Sequence, residues 1–139
     1  MRSYGAEGLR DYIRKQVKLA EEFHQMLSLD DRFEFPVPPA MGLVCFRLKV
    51  KHLIELILHV ADSLNFSFMI FVLFFQGDNS LSESLLKRIN DDGQVYMIPA
   101  KLHDTYIIRF AVCSRYTELS DIQASCEEIC RHANDVIKQ

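Results

Sequence analysis

The sequence lacks a CxxC pair, clustered histidines, a glycine-rich phosphate loop and an uninterrupted apolar run long enough to cross a bilayer. Each absence closes a class of function. Without paired-ligand spacing there is no zinc site to argue for. Of the four cysteines, Cys45 and Cys113 lie in apolar, strand-like runs, where a free thiol behaves as a small hydrophobe. Cys126 and Cys130 are four apart on a predicted helix and share a face, as reduced structural thiols. A basic surplus is also missing: 16 Lys and Arg stand against 19 Asp and Glu, a net charge of −3. That balance speaks against a generic nucleic-acid or anionic-membrane binder. No secretory signal opens the chain, since Met1 is followed by the polar run Arg2 to Arg14, so a reducing cytoplasm is expected. At 49% hydrophobic residues the chain is too apolar for disorder, and 139 residues suit one domain with one modest core.

The charge that is present is unevenly spread. Residues 50–76 hold only three charged groups (Lys51, Glu55, Asp62) but five of the ten phenylalanines. Their most apolar part, Leu64 to Phe75, falls short of the ~20 residues a spanning helix needs. Extending it back to Leu53 brings in Glu55, His59 and Asp62, each costly in lipid, so a membrane span is not expected. The stretch also interrupts a place where a short connection belongs. The genetic code offers one account. Val50-Lys51 is compatible with an intron's 5′ boundary, and Phe71 to Gln76 with a pyrimidine-rich tract ending in CAG. We therefore read residues 50–76 as a hydrophobic insertion that is a translated in-frame intron or a gene-model artefact. The alternative is a genuine insertion loop, which would expose an aggregation-prone patch.

Outside that stretch the periodicities are clear. Leu9, Ile13, Val17, Ala20, Phe23 and Leu27 form one helical stripe, flanked by an Asp11–Lys15 pair at i,i+4. Phe33, Phe35 and Val37 alternate as a half-buried strand until Pro38-Pro39, and Gly42 opens a second strand over Leu43 to Leu48. Ser80…Glu83 has capping-box spacing ahead of Leu81, Leu85, Leu86 and Ile89. Asp91-Asp92-Gly93 turns the chain into a strand Val95 to Ile98, closed by Pro99. The longest strand runs from Thr105 to Ser114. The last helix starts near Ser120…Gln123, with Ile122, Cys126, Ile129, Ala133 and Val136 inward and a Glu127–Arg131 pair outside.

The order helix, two strands, helix, two strands, helix predicts an α+β sandwich: an antiparallel sheet with helices on one face. Period-two alternation puts Val44, Phe46, Leu48, Tyr106, Ile108, Phe110 and Val112 toward the helices. The opposite face carries Leu43, Cys45, Arg47, Ile107, Arg109, Ala111 and Cys113. That face is too apolar to be simply wet and too charged to be a closed core, which suits contact with another domain.

With residues 50–76 set aside, the text resembles a known family. MRSYGAEGLRDYIRKQVKLAEEF, DDRFEF, GLVCFRLK joined to GDNSLSESLLKRIN, and YMIPAKLHDTYIIRFAVCSRYTELSDI are similar to the C-terminal domain of the pyridoxal-phosphate-dependent aromatic-L-amino-acid decarboxylases (group II). In that family a lysine like Lys49 is followed directly by a glycine like Gly77, which marks both edges of the apolar stretch. The resemblance implies residues 1–139 as the C-terminal small domain of a fold-type-I enzyme: a four-stranded antiparallel sheet with three helices on one face. It further implies a homodimer, with pyridoxal 5′-phosphate held by a large domain that this chain does not contain. Cys113-Ser114-Arg115 is more like the aromatic branch than the histidine or tyrosine branches.

The chemistry implied by the resemblance uses an imine between cofactor and a lysine that follows a histidine, with the pyridine ring as electron sink. Every lysine here follows Arg14, Val17, Leu48, Val50, Leu86, Ala100 or Ile137. No residue of the chain is therefore assigned a catalytic, cofactor-binding or metal role, and the chain alone is expected to be inactive and to bind no cofactor. Arg109 is the expected support toward the large domain, with Arg2 and Tyr4 at the interdomain junction. His24, His103 and His132 are read as surface residues. Two other classes stay open on the residues alone: a stand-alone α+β ligand-binding or interaction module, and a protein tethered to a membrane through residues 53–75.

Overall fold

A computed structural model of the chain describes residues 5–49 and 66–138, with side chains described for 5–49 and 79–138. Arg2, Tyr4 and residues 50–65 lie outside the described residues. The elements are α1 (Gly5–Ser28), β1 (Phe33–Glu34), β2 (Leu43–Leu48), α2 (Phe66–Asp92), β3 (Ile98–Leu102), β4 (Thr105–Ala111) and α3 (Leu119–Ile137). The strands form one four-stranded antiparallel sheet in the order β1-β2-β4-β3.

The period-two assignment of faces holds where it concerns the core. Val44, Phe46, Leu48 and Ile108 are fully buried and Phe110 and Val112 nearly so, in one cluster with residues of α1, α2 and α3. Helix α1 contributes Leu19, Ala20, Phe23 and Leu27, α2 contributes Leu85, Leu86 and Ile89, and α3 contributes Ile122, Cys126, Ile129, Ala133 and Val136. Aromatic rings knit the sheet to α1. Phe23 stacks on Phe110 with centroids 3.9 Å apart and is tilted against Phe46 at 5.9 Å, while Phe33 meets Phe46 edge-on at 5.8 Å. Among the described residues no helix is long and apolar enough to cross a membrane.

Several local expectations are corrected. The helix expected to begin at Ser80 is already running at Phe66, so the Ser80…Glu83 box lies inside α2. The last helix is capped two residues early: the Glu118 N–H donates to the Asp121 carboxylate at 2.8 Å, making Glu118 the N-cap instead of Ser120. The third strand starts at Ile98, where Val95 to Ile98 was expected, and runs through Pro99. Proline is tolerated there because β3 is an edge strand, with one side free of ladder bonds. Before it, Asn90 holds the incoming chain as a strand would: its amide accepts from the Met97 N–H at 2.9 Å and donates to the Met97 carbonyl at 3.0 Å. The first strand is only two residues long, though Phe35 still packs on the core.

The expected ion pairs also change partners. Asp11 pairs with Arg14 at 3.2 Å, leaving Lys15 to reach Glu118 at 2.6 Å. Arg131 pairs with Glu128 and with Asp92 at 3.1 Å, and not with Glu127. Asp11–Arg14 and Glu128–Arg131 stay within one helix at i,i+3, while Lys15 and Arg131 also reach across to Glu118 and Asp92.

Candidate functional site

Helix α1 has 24 residues, about 36 Å at ~1.5 Å per residue, and buries its stripe only from Leu19 onward. The first half of the stripe emerges from the core, with Leu9 at 37% and Ile13 at 41% exposure. Those positions read as core from periodicity; the structure leaves them on the surface because the sheet ends beneath them. Gln16 marks the boundary, packed beside Gly42 and the Val112 carbonyl. A Cβ on Gly42 would come within 3.2 Å of that carbonyl, and the residue sits at φ +85°, so the close approach requires glycine.

Three segments converge at this end of the sheet. Tyr12 donates to the Cys113 carbonyl at 2.7 Å, and Lys15 reaches both the Arg115 carbonyl at 3.4 Å and the Glu118 carboxylate. The 40–43 turn joins them, its Ala40 and Leu43 bonded to each other at 2.9 and 3.0 Å. Around these contacts stand Leu9, Ile13, Met41, Tyr116 and Leu119, five of the eight large hydrophobics exposed among the described residues. Met41 is 82% exposed and held at φ +52°, a left-handed conformation that costs a non-glycine residue about 1 kcal/mol or more. Gln16, packed beside Gly42, buries an amide nitrogen that has no hydrogen-bond partner among the described residues. Exposed apolar side chains and a strained turn thus gather at one end of the domain. Met41 and Tyr116 belong to no periodic stripe, and Leu119, three residues before Ile122, continues the stripe of α3 and so reads as core; no sequence signal singled them out as surface.

The sheet face turned away from the helices divides in two. Cys45 and Ile107 are buried, and Arg47 is largely buried and paired with Glu34. Arg109, Ala111 and Cys113 are exposed. Because Leu43 pairs with Ala111, this open half adjoins the apolar end. Arg109 lies between Cys45 on β2 and exposed Ile98 on β3, and no carboxylate among the described residues is paired with it. Its nearness is felt by the Cys45 thiol, which burial pushes up and the guanidinium charge pulls partly back. Arg2 and Tyr4, expected at the same junction, lie outside the described residues.

The described residues do not fit a pyridoxal phosphate site. Among the described lysines, Lys18, Lys87, Lys101 and Lys138 are exposed, Lys49 is half-buried just past β2, and Lys15 is engaged by Glu118. A shallow cleft at the far end of the sheet is lined by Glu34, Phe35, Pro36, Arg47 and Thr105, where the one acid and the one base neutralise each other. No lysine and no glycine cradle line it.

A second cluster ties α2 to α3. Ligand atoms of Asp92, Glu128 and His132 lie within 4.8 Å of one another, but an Arg131 nitrogen stands among them, 3.1 Å from Asp92 and 3.2 Å from the His132 ring. The guanidinium already supplies the positive charge, so the group acts as a clasp between helices. His132 is 7% exposed, which corrects its reading as a surface residue. His24 is half-buried, its ring edge-on to Phe35 at 4.4 Å, and His103 is exposed.

The cysteine pair is structural. Cys126 is buried and its thiol is pushed up to about 12 by burial. Cys130 is pushed up to about 11, by burial first and then by Asp30. Asp30 is itself held low by Arg32, whose Nε lies 2.8 and 3.0 Å from the two carboxylate oxygens.

Comparison with known proteins places this arrangement. The family described as "Pyridoxal-dependent decarboxylase conserved domain" matches residues 1–49. The chain is 40% identical to an aromatic-L-amino-acid decarboxylase of Manduca sexta over 129 residues, covering 93% of this chain and 20% of that protein. With the Rattus norvegicus aromatic-L-amino-acid decarboxylase it shares 37% identity over 137 residues, covering 99% and 23%. Among solved structures, the Oryza sativa TDC with PLP and tryptamine superposes with a TM-score of 0.76 at 26% identity, over 99% of this chain and 25% of that one. Catharanthus roseus tryptophan decarboxylase in complex with L-tryptophan gives 0.74 at 30% identity, over 97% and 24%. The chain thus spans between a fifth and a quarter of the length of these relatives.

Proposed function

We propose, from the premise that this chain belongs to the pyridoxal-dependent decarboxylase family, that it is the C-terminal small domain of an aromatic-L-amino-acid decarboxylase. The observation that carries the reading is relatedness along nearly all of this chain to proteins four to five times longer. The complete enzyme converts aromatic L-amino acids to aromatic amines and carbon dioxide in the cytoplasm, as a homodimer. Its large domain holds pyridoxal phosphate, which supplies the electron sink for decarboxylation.

The role of this domain is to pack on the cofactor-bearing part and hold it closed. Leu9, Ile13, Met41, Tyr116 and Leu119 form the apolar ground of that contact. Arg109 extends from the adjoining sheet face toward a carboxylate or carbonyl of the large domain, and Arg2 and Tyr4, outside the described residues, are assigned to the interdomain junction by the family resemblance. Arg109 suits this task because it is poised beside apolar Ile98 and Cys45 with no ion-pair partner among the described residues.

Two measurements test the reading. The purified chain, titrated with pyridoxal phosphate, is expected to show no saturable absorbance of a lysine-bound cofactor and no release of carbon dioxide from dopa, tyrosine, tryptophan or 5-hydroxytryptophan. Saturable binding with turnover would overturn it. The longer polypeptide that ends in this domain is expected to release the corresponding amine from at least one of those acids, and failure on all four would equally overturn it.

A further inference from the structure

We propose that Asp92, Glu128 and His132 form a binding site for a divalent metal ion of the zinc class, in whose place the guanidinium of Arg131 stands. The proposal is independent of the decarboxylase reading. Its ligands come from two elements: Asp92 ends α2, while Glu128 and His132 are four apart on α3 and share a helix face. One ligand atom from each lies within 4.8 Å of the other two, the one such group of histidine, cysteine and acidic side chains among the described residues. His132 Nε2 is 3.6 Å from the Asp92 carboxylate and 3.6 Å from that of Glu128. Around a tetrahedral zinc ion, neighbouring ligand atoms stand about 3.4 Å apart. Two of the three spacings are thus already close to what the ion requires. Rotation of the Asp92 or Glu128 side chain, 35% and 30% exposed, closes the third.

The buried histidine is a second, separate observation. His132 is 7% exposed, and its only polar neighbours among the described residues are the other members of this group. Burying an imidazole is costly unless its ring nitrogens are used. Here Nε2 is aimed into the group, 3.2 Å from an Arg131 nitrogen. An arginine nitrogen only donates, so a hydrogen bond between the two uses the imidazole lone pair, which is also what a metal ion takes. The same Arg131 nitrogen is 3.1 Å from Asp92 and bonded to Glu128. All three donors therefore already converge on one positive centre.

Charge and donor type select the ion. Two carboxylates against one guanidinium leave one negative charge over, which a dication removes. The Arg131 side chain is 51% exposed, so it turns out to water when an ion takes its place. One imidazole and two carboxylates suit zinc or cobalt, whereas calcium and magnesium favour oxygen alone. Three protein ligands leave a fourth position for water. The ion then ties the end of α2 to α3, as the guanidinium does without it. Glu128 and His132 lie nine and thirteen residues beyond Leu119, about 14–20 Å along α3, so the apolar end is left as it is. Spacing in the sequence does not reveal the site, because Glu128 and His132 make only two ligands until the fold brings in Asp92 from 36 residues away.

The test titrates the full 139-residue chain, reduced and without an affinity tag, with zinc and with cobalt at neutral pH. The same titrations are run on Asp92→Asn, His132→Gln and Arg131→Ala. The unsubstituted chain should take up one zinc ion in competition with a chromogenic chelator, and melt at a higher temperature with zinc than without. Its cobalt form should show the visible bands of a nitrogen–oxygen site with no sulfur charge transfer, and calcium in excess should not displace the ion. Asp92→Asn and His132→Gln should each weaken zinc binding at least tenfold. Arg131→Ala should tighten it about tenfold, because no charged hydrogen bonds have to break first. Asp92 is at a helix end and partly exposed, so Asp92→Asn carries the test if the buried His132→Gln fails to fold. No zinc uptake by the unsubstituted chain overturns the proposal, as does uptake unchanged by Asp92→Asn. A cobalt spectrum with sulfur charge transfer, or an Arg131→Ala chain that binds zinc no more tightly, overturns it equally.

Discussion

Phe23 is the bolt between α1 and the sheet, and its removal is the most direct measure of how the domain is held. The side chain is fully buried, its ring lying on Phe110 at 3.9 Å and 9° and against Phe46 at 5.9 Å. Phe23→Ala loses the transfer energy of the ring and leaves a cavity among Val44, Phe46 and Phe110, neighbours that are themselves held by the sheet. Such truncations cost about 3–5 kcal/mol, of which ring pairing supplies about 1. Domains of this size unfold with about 5–15 kcal/mol, so the loss removes between about a fifth of the margin and all of it. With a urea slope of about 2 kcal/mol per molar, the midpoint should fall by about 2 M with the slope unchanged. Phe23→Leu keeps most of the volume but not the ring and should cost about 1 kcal/mol. Leu9→Ala, on the same stripe but in the exposed half, is the internal control and should stay within about 0.5 kcal/mol. The reasoning fails if Phe23→Ala costs less than about 1 kcal/mol, or if Leu9 and Phe23 prove equally sensitive. Either result would mean that α1 is not seated with its C-terminal half on the sheet and its N-terminal half free.

Three further expectations follow from the same coordinates. The Asp30 carboxyl is held below its ordinary value of 3.8 by Arg32, so it binds protons more weakly folded than unfolded. Its contribution is fully present above about pH 4–5 and is lost as the pH falls through the folded value; Asp30→Asn should flatten the acid limb of stability against pH, and an unchanged limb would refute the pairing. Of the three thiols Cys113, Cys126 and Cys130, exposed Cys113 should be alkylated first at pH 8, while Cys126 and Cys130, pushed up to about 12 and about 11, should react only on unfolding; mass spectrometry after timed iodoacetamide treatment reads this order. Leu9→Asp combined with Ile13→Asp should leave the melting temperature of the chain within a few degrees, yet weaken its association with the large domain at least tenfold in the complete enzyme. Equal damage in both settings would show that these side chains serve the fold and not an interface.

Much of the architecture was legible from local pattern because it is set by local physics. β2 spans Leu43–Leu48 as expected, since alternation and the preceding glycine both act within a few residues. The helical stripes of α1 and α3 likewise name the residues that enter the core, from Leu19 to Leu27 and from Ile122 to Val136. Local signals misled where two of them competed. Glu118 and Ser120 both precede a carboxylate or amide at the right spacing, and the cap went to the residue that Lys15 also holds, a choice made by a contact 103 residues away. Pro99 reads as a stop, but an edge strand has no partner on one side to miss the N–H.

The site divides the same way. From the sequence alone come the sheet with its helices, the identity of the two sheet faces and Arg109 on the outer one, because side-chain direction along a strand alternates whatever surrounds it. Only the tertiary structure decides which part of each apolar surface stays open. A stripe of constant period cannot say where the sheet beneath it ends, so Leu9 and Ile13 look like Phe23 until the fold leaves them uncovered. Nor can a sequence say that Asp92 would meet Arg131, or that Leu48 would find Ser82 across 34 residues, since those distances exist only after the chain has closed. Composition marked residues 50–76 as unlike the rest; that β2 and α2 meet at Leu48 and Ser82, on either side of that stretch in sequence, is decided by the tertiary structure.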